Sequence, residues 1–319
     1  MIRLMLKSCQ QLPGKVVLVG NTVMQRIFCG KDITPLSCYP FQVDDLGLSV
    51  LTPAEIGWDF LSGAIIQFYP SIGSFVGSDI LAGIAATGLH RNPQFTALID
   101  LGTNGEIVVG NRDKIICTST AAGPAFEGSN LSMGMRAVTG AISSIQLVNN
   151  KMVPSVIGKT SPKGICGSAL IDAIAILLQQ KLIGIFGEIH SREESIPIVG
   201  PIRITQKDVY EFLLAKAAIA SGITILSRNL GIEPSDIHEF YIAGGFGNYI
   251  RLEHLLATGM VETSEEKIHK MGNTALIGAK MFLFGNGELA SEILGKASHV
   301  NLEGFPEFQD IYISKMVLG

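Results

Sequence analysis

Cysteine is scarce in this chain, and what there is lies scattered: Cys9, Cys29, Cys38, Cys117 and Cys166 include no C-x-x-C pair. That spacing excludes a zinc knuckle or a cluster-binding run and reads as reduced, cytoplasmic thiols. Positive charge is short as well, with 24 Lys and Arg against 28 Asp and Glu and a net charge of −4, so neither a nucleic-acid footprint nor a membrane-surface patch is expected. No long uninterrupted apolar run occurs. Residues Met1 to Val19 are broken by Arg3, Lys7, Gln10, Gln11 and Pro13, and the most apolar helical stretch, Ser168 to Phe186, carries Asp172, Gln179, Gln180 and Lys181. A signal-peptide core and a membrane span are therefore not expected, and Ser168 to Phe186 reads as a buried helix.

Glycine is plentiful. With 36 glycines, 47% hydrophobic and 16% charged residues over 319 positions, the composition suits a tightly packed α/β protein with many close backbone turns, and the length suits two lobes. Ile2 to Gln11 reads as a helix and Lys15 to Val19 as a buried strand running into Gly20-Asn-Thr22. Ala64 to Tyr69 reads as a strand and Phe75 to Leu89 as a helix. A β-meander follows, with two strands in Thr96 to Gly110 and a third at Lys114 to Thr118. Beyond it come a polar hairpin at Asn149-Asn150, a helix from Gly167, a long helix over Thr205 to Leu230, and a strand at Glu239 to Ala243. The expected division is a first lobe with a connecting helix over residues 1–90 and a second lobe over residues 91–319.

Three segments carry candidate chemistry. In Asp100-Leu-Gly-Thr-Asn-Gly-Glu106 a carboxylate ends a buried strand and is followed by glycines that expose backbone N–H groups. Gly102, Thr103, Asn104 and Gly105 could cradle phosphate oxygens while Asp100 holds Mg²⁺; equally, Asn104-Gly105 could be a plain type I′ hairpin turn. In Ala243-Gly-Gly-Phe-Gly-Asn248, Gly244, Gly245, Phe246 and Gly247 follow a strand and could let a flat ligand or a phosphate approach the backbone, or could simply pack a tight turn. In Ser119 to Gly128, Gly123 is a candidate nucleotide-binding glycine and Glu127 a candidate to position a water or a metal, and Arg136 follows as either a phosphate contact or, favoured here, the partner in an internal Glu–Arg pair. Cys166 at a helix start reads as a buried thiol, and the six histidines show no metal-ligand spacing.

Taken together and in order, Val19 to Met24, Asp100 to Glu106, Ser119 to Gly128, Gly134 to Ala137, Gly164 to Ser168, Ala243 to Tyr249 and Gly272 to Leu276 resemble the carboxy-terminal region of the reductive activators of corrinoid-dependent methyltransferases. The resemblance spans nearly the whole chain. It implies a two-lobed ASKHA (actin/sugar kinase/Hsc70-like) α/β fold with ribonuclease H-like sheets, in which Asp100 to Glu106 form the second phosphate motif and Gly244 to Gly247 the adenosine motif. ATP and Mg²⁺ are the implied ligands, with Asp100 and Glu127 as catalytic residues and a corrinoid protein as partner. A [2Fe–2S] domain and an earlier Asp-Ile-Gly-Thr-Thr motif of that family have no match here. The first lobe is accordingly expected to be incomplete, with an unpaired edge near Val16 to Val19 that a homo-oligomer contact, an amino-terminal partner chain or a rearranged segment covers. Rival expectations are the 2-hydroxyacyl-CoA dehydratase activators, whose [4Fe–4S] cluster would need Cys117 and Cys166, a small-molecule kinase, and a non-catalytic scaffold of the same fold.

Overall fold

The computed structural model describes residues 6–7, 11–247, 249–285 and 287–319. The helix expected over Ile2 to Gln11 falls largely outside them, as does Cys9. Two compact units are formed. The first comprises Met1–Asn92, Arg112–Ile116 and Asn273–His299; the second comprises Pro93–Asn111, Cys117–Gly272 and Val300–Gly319. The segments 112–116 and 273–299 thus cluster with residues of the expected first lobe.

In the first unit β1 (Lys15–Leu18) runs through Gly20-Asn21 into α1 (Thr22–Phe28), with the Asn21 side chain accepting the Met24 N–H at 2.8 Å as a cap. β2 (Ser49–Leu51) and β3 (Ile65–Phe68) complete a three-stranded sheet of order β1-β3-β2, in which β1 lies parallel to β3 at an edge. The next helix, α2 (Ser78–Thr87), is shorter than the expected Phe75 to Leu89. Gly77 is extended, and a Cβ there would sit 2.3 Å from the Gly20 carbonyl oxygen, so the backbone approach that seats the strand-to-helix turn holds the helix start back to Ser78. At the other end Gly88 takes a left-handed conformation (φ 70°) and stops it.

The second unit opens with β4 (Thr96–Leu101) and β5 (Gly105–Gly110), antiparallel, and then β6 (Ile115–Thr120), whose first two residues count with the first unit. β7 (Ala141–Val148) and β8 (Lys151–Val156) form the expected hairpin, with Asn149 and Asn150 both at positive φ (50° and 61°), as a type I′ turn requires. β9 (Gly164–Ile165) pairs parallel with β7 and leads into α3 (Gly167–Gln179). The helical reading of Ser168 to Phe186 is corrected here: Lys181 turns left-handed (φ 57°) and the Leu182 N–H returns to the Leu177 carbonyl, so the apolar tail Leu182 to Phe186 is not helical. A hairpin of β10 (Ser195–Val199) and β11 (Ile202–Thr205) precedes α4 (Gln206–Asn229), whose Thr205 and Asp208 make a reciprocal capping box. By length and composition α4 is apolar enough to cross a membrane, but it is the core helix of this unit: Val209, Phe212, Ile219 and Leu226 are fully buried. Gly222 lets it lie directly on β5, since a Cβ there would meet Ile107 Cδ1 at 2.4 Å.

β12 (Glu239–Ala243) enters the sheet parallel to β4 and passes into the helical turn α5 (Gly244–Gly247); α6 (Leu252–Ala257) and β13 (Ile268–Gly272) follow, and the strands of this unit run β13-β12-β4-β5-β6. A meander extended on the other side of its first strand by two parallel strands is the mixed α/β sheet that the motif order implies. α7 (Thr274–Phe284), α8 (Glu288–Leu294) and β14 (Ala297–His299) belong to the first unit. There α7 crosses α2 so closely that a Cβ on Gly278 would lie 2.0 Å from the Ala82 carbonyl oxygen, and Phe282 stacks on Tyr69 at 4.5 Å between centroids. The last helix, α9 (Phe308–Ser314), packs on α4 in the second unit.

Candidate functional site

Parallel pairing of β4 and β12 is what builds the site. The register sets Ala243 opposite Asp100, so two strands end side by side and each delivers its loop to the same edge. Gly244 sits at φ 89°, a conformation that L side chains rarely adopt, and a Cβ on it would lie 2.7 Å from Asp100 Oδ1 and 3.1 Å from the Leu101 carbonyl. Two segments separated by more than a hundred residues therefore meet at a carboxylate and a bare backbone.

The loop after Asp100 is not the type I′ turn that Asn104-Gly105 offers. Leu101 pairs with Gly105, leaving a three-residue connection of Gly102, Thr103 and Asn104, across which the Gly102 N–H donates to the Asn104 carbonyl at 3.0 Å. Gly105 lies inside β5, outside the positive-φ region, buried against Thr120 Oγ1 and Ile219. Packing, not turn geometry, asks for glycine there. Gly102 is half-buried and lines a cavity, while Thr103 and Asn104 are exposed.

Thr103 Oγ1 donates to Glu127 Oε1 at 2.7 Å and so links this loop to the third candidate segment. Glu127 ends a 3-10 turn (Pro124–Glu127) entered through Gly123 at φ 77° and left through Gly128 at φ 77°. A Cβ on Gly128 would meet the Met135 carbonyl at 2.3 Å, an approach that brings the chain before Arg136 back against the turn carrying Glu127. The start of α3 closes on the same turn: a Cβ on Gly167 would lie 1.9 Å from the Phe126 carbonyl oxygen.

These elements enclose a cavity of about 810 Å³ whose walls include Gly102, Glu127, Arg136, Ser143, Ser168 and Tyr249. Gly245 also reaches it; Gly247 is instead buried against Ile242, and Phe246 lies in the same helical turn. Glu127 and Arg136 share this cavity without forming an ion pair, which corrects the expected internal Glu–Arg pair: Glu127 takes Thr103, and Arg136 remains exposed at the wall. Among the described residues lining the cavity Arg136 is the one cation. Ser143 was missed by sequence reasoning, and no local signal marks it. It belongs to β7, and only the tertiary fold brings that strand to the wall, where Ser168 Oγ donates to the Ser143 carbonyl at 2.7 Å.

Among the described residues no group of three or more His, Cys, Asp or Glu side chains forms a metal-binding cluster. A divalent ion beside Asp100 would accordingly draw most of its ligands from water and phosphate oxygens, which is the habit of Mg²⁺. The two cysteines that a bridging cluster would need are placed differently. Cys117 is fully buried within β6, its thiol pushed far up by burial, whereas Cys166 is at the cavity wall with its Sγ 3.3 Å from Ser168 Oγ.

Comparison with known proteins identifies the fold and the family. Residues 94–319 match the C-terminal domain of RACo, the ASKHA domain, and residues 9–92 match the RACo middle region. The corrinoid activation enzyme RamQ of Eubacterium limosum is 37% identical over 96% of this chain and 56% of its own length. The [Co(II) methylated amine-specific corrinoid protein] reductase of Methanosarcina barkeri is 30% identical over 84% of this chain and 54% of its own length. A solved reductive activator for corrinoid, iron–sulfur protein superposes with a TM-score of 0.85 at 30% identity, covering 95% of this chain and 52% of that one. The chain thus spans about half the length of the relatives it matches. With its middle region and its C-terminal ASKHA domain both matched, the chain belongs to the family of reductive activators of corrinoid proteins.

Proposed function

We propose that this chain is the ATP-binding module of a reductive activator, which couples binding and hydrolysis of ATP to the one-electron reduction of a Co(II) corrinoid carried by a partner protein in a methyltransferase system. The observation that carries the reading is the meeting of Asp100 and Gly244 at adjacent strand ends beside a cavity whose wall includes Gly102 and Gly245. A bare glycine backbone next to a carboxylate can take a phosphate chain and its magnesium ion, and the cavity volume is of the order that small-molecule sites use, roughly 300–1,000 Å³. In this reading Asp100 holds Mg²⁺, Gly102 and the exposed Thr103–Asn104 loop face the phosphates, and Gly244 and Gly245 lie under the nucleoside. Glu127, fixed by Thr103, orients the attacking water. Gly123 keeps the Glu127 turn in place rather than touching ligand, and Gly105 packs the loop from below.

The electron comes from a donor outside the described residues, which include no cluster-ligand set; a [2Fe–2S] protein or domain fits the family. Cobalt accepts that electron and goes from Co(II) to Co(I), while ATP supplies the driving force. Coupling of this kind is a differential affinity: nucleotide and corrinoid protein each favour one conformation, so each must change the other's binding by the same factor. Among the described residues Cys29, Cys38, Cys117 and Cys166 form no disulfide, which suits work in a reducing cytoplasm.

Calorimetric titration of Mg-ATP and Mg-ADP tests the reading, with Asp100→Ala as control and with the corrinoid protein added in a second series. Saturable binding that weakens at least about tenfold in the variant is expected, since an interaction with a charged group is worth ~1.5–3 kcal/mol. A shift of the ATP affinity by the corrinoid protein is expected too. Equal binding by the wild type and the variant, or no binding by either, overturns the nucleotide assignment; binding that ignores the corrinoid protein overturns the coupling and leaves a nucleotide-binding scaffold.

A further inference from the structure

Behind the cavity wall lies a carboxylate with no part in the site just described. Asp172, on α3, is 1% exposed, and both its oxygens are used. Oδ2 accepts the Ile145 backbone N–H from β7 at 2.8 Å, and Arg251 Nε stands 3.7 Å from the same oxygen. Oδ1 is 2.6 Å from His254 Nδ1 at the first turns of α6. Glu253 completes the cluster on its exposed side, 3.7 Å from Arg251 and 3.8 Å from His254.

Asp172 and two of its partners, Ile145 and Arg251, are near neighbours of cavity residues in the sequence. Ser168 precedes Asp172 by four positions, one helical turn on the same face of α3. Ser143 precedes Ile145 by two positions on β7, and Tyr249 precedes Arg251 by two positions. All three line the cavity, and of the two aromatic residues among its described lining Phe126 is buried while Tyr249 is exposed. One buried carboxylate therefore ties together the three wall elements, β7, α3 and the 249–254 segment, that reach the cavity from outside the glycine motifs.

We infer that Asp172 is a positioning residue for ligand binding: with His254 and Arg251 it sets the 249–254 segment against α3 and β7, so that the Tyr249 ring is held as a platform for the flat, aromatic part of the ligand. The inference rests on the nucleotide reading above, where that part is the base. Because Asp172 works through Tyr249, its loss and the loss of the ring remove the same interaction, and their effects on affinity do not multiply.

The test is a double-mutant cycle read by calorimetric titration of Mg-ADP into the full chain, at a temperature where circular dichroism finds every variant folded. Asp172→Asn keeps an acceptor for Ile145 but lacks the charge facing His254 and Arg251. It is expected to weaken Mg-ADP about tenfold, Tyr249→Leu by a similar factor, and the double variant by no more than the larger single loss. If Asp172→Asn does not fold, His254→Gln, which leaves Asp172 and its bond to Ile145 in place, enters the cycle with an expected loss of about threefold. Unchanged affinity in Asp172→Asn, or losses that multiply in the double variant, overturns the positioning role and leaves the nucleotide assignment standing. Absence of Mg-ADP binding by the wild type overturns both.

Discussion

Arg136 shows what a single side chain adds once its surroundings are known. From sequence it had two equally local uses, and the pairing with Glu127 was the expected one. Instead Thr103 holds Glu127, and Arg136 stands exposed at the wall of a cavity with no other cation among its described lining residues. An anionic ligand in that cavity would meet this guanidinium. Replacing it in Arg136→Gln should weaken Mg-ATP about tenfold, the worth of a charge-assisted bond of ~1.5–3 kcal/mol, while adenosine binding stays within about twofold. Titration of both ligands reads this directly; an equal loss for ATP and adenosine would mean that Arg136 supports the cavity wall and does not meet phosphate.

At the scale of elements, the edge strand β1 is the feature with an unfinished account. It pairs with β3 on one side, and among the described residues no strand pairs on the other. Val16 to Leu18 are half-buried, and a parallel strand with one open hydrogen-bonding edge is a template for further pairing. We propose that this edge is covered in solution, as expected from the sequence, by a second copy of the chain, an amino-terminal partner chain or a rearranged segment. Light scattering behind size exclusion, together with amide exchange at residues 15–18, is the check. A dimer, or slow exchange at those amides when the partner is present, is expected; a monomer whose β1 amides exchange freely in every condition would sink the proposal.

For the molecule as a whole, acid stability should be decided in the first unit. His90 is buried, and burial lowers its pKa; its Nδ1 lies 3.3 Å from the Ile84 carbonyl and its Nε2 has no hydrogen-bond partner. His299 in the same unit is lowered by burial as well. A protonated His90 would bury an N–H without an acceptor, beside Arg91 and Lys296 and with Glu292 as the opposing charge. Below the ordinary histidine pKa of ~6.5 the unfolded chain binds more protons than the folded one, so stability is complete above that value and is lost as the pH falls through it. Thermal unfolding followed from pH 8 to pH 5 should show a plateau and then a decline, with a shallower acid limb in His90→Gln. An unchanged limb in that variant would assign the acid sensitivity elsewhere.

Local chemistry was enough to place most elements, because strand and helix signals here are short-range: the Asn149-Asn150 turn, the Thr205–Asp208 cap and the Glu239–Ala243 strand all act within a few residues. The order of the glycine motifs was enough to indicate the family. Helix limits were less legible, since Gly77 delays the start of α2 only through its contact with Gly20, and Lys181 ends α3 through a turn that composition does not mark. The Asn104-Gly105 turn, a strong local signal, lost to sheet register, which drew Gly105 into β5. What tertiary structure alone decided is which distant residues meet: Asp100 with Gly244, Thr103 with Glu127, and Asp172 with His254, a histidine that as sequence offered no reason to be singled out. Propensity and turn chemistry act between neighbours along the chain, whereas a binding site is assembled by strand pairing and burial between segments whose separation in sequence carries no local trace.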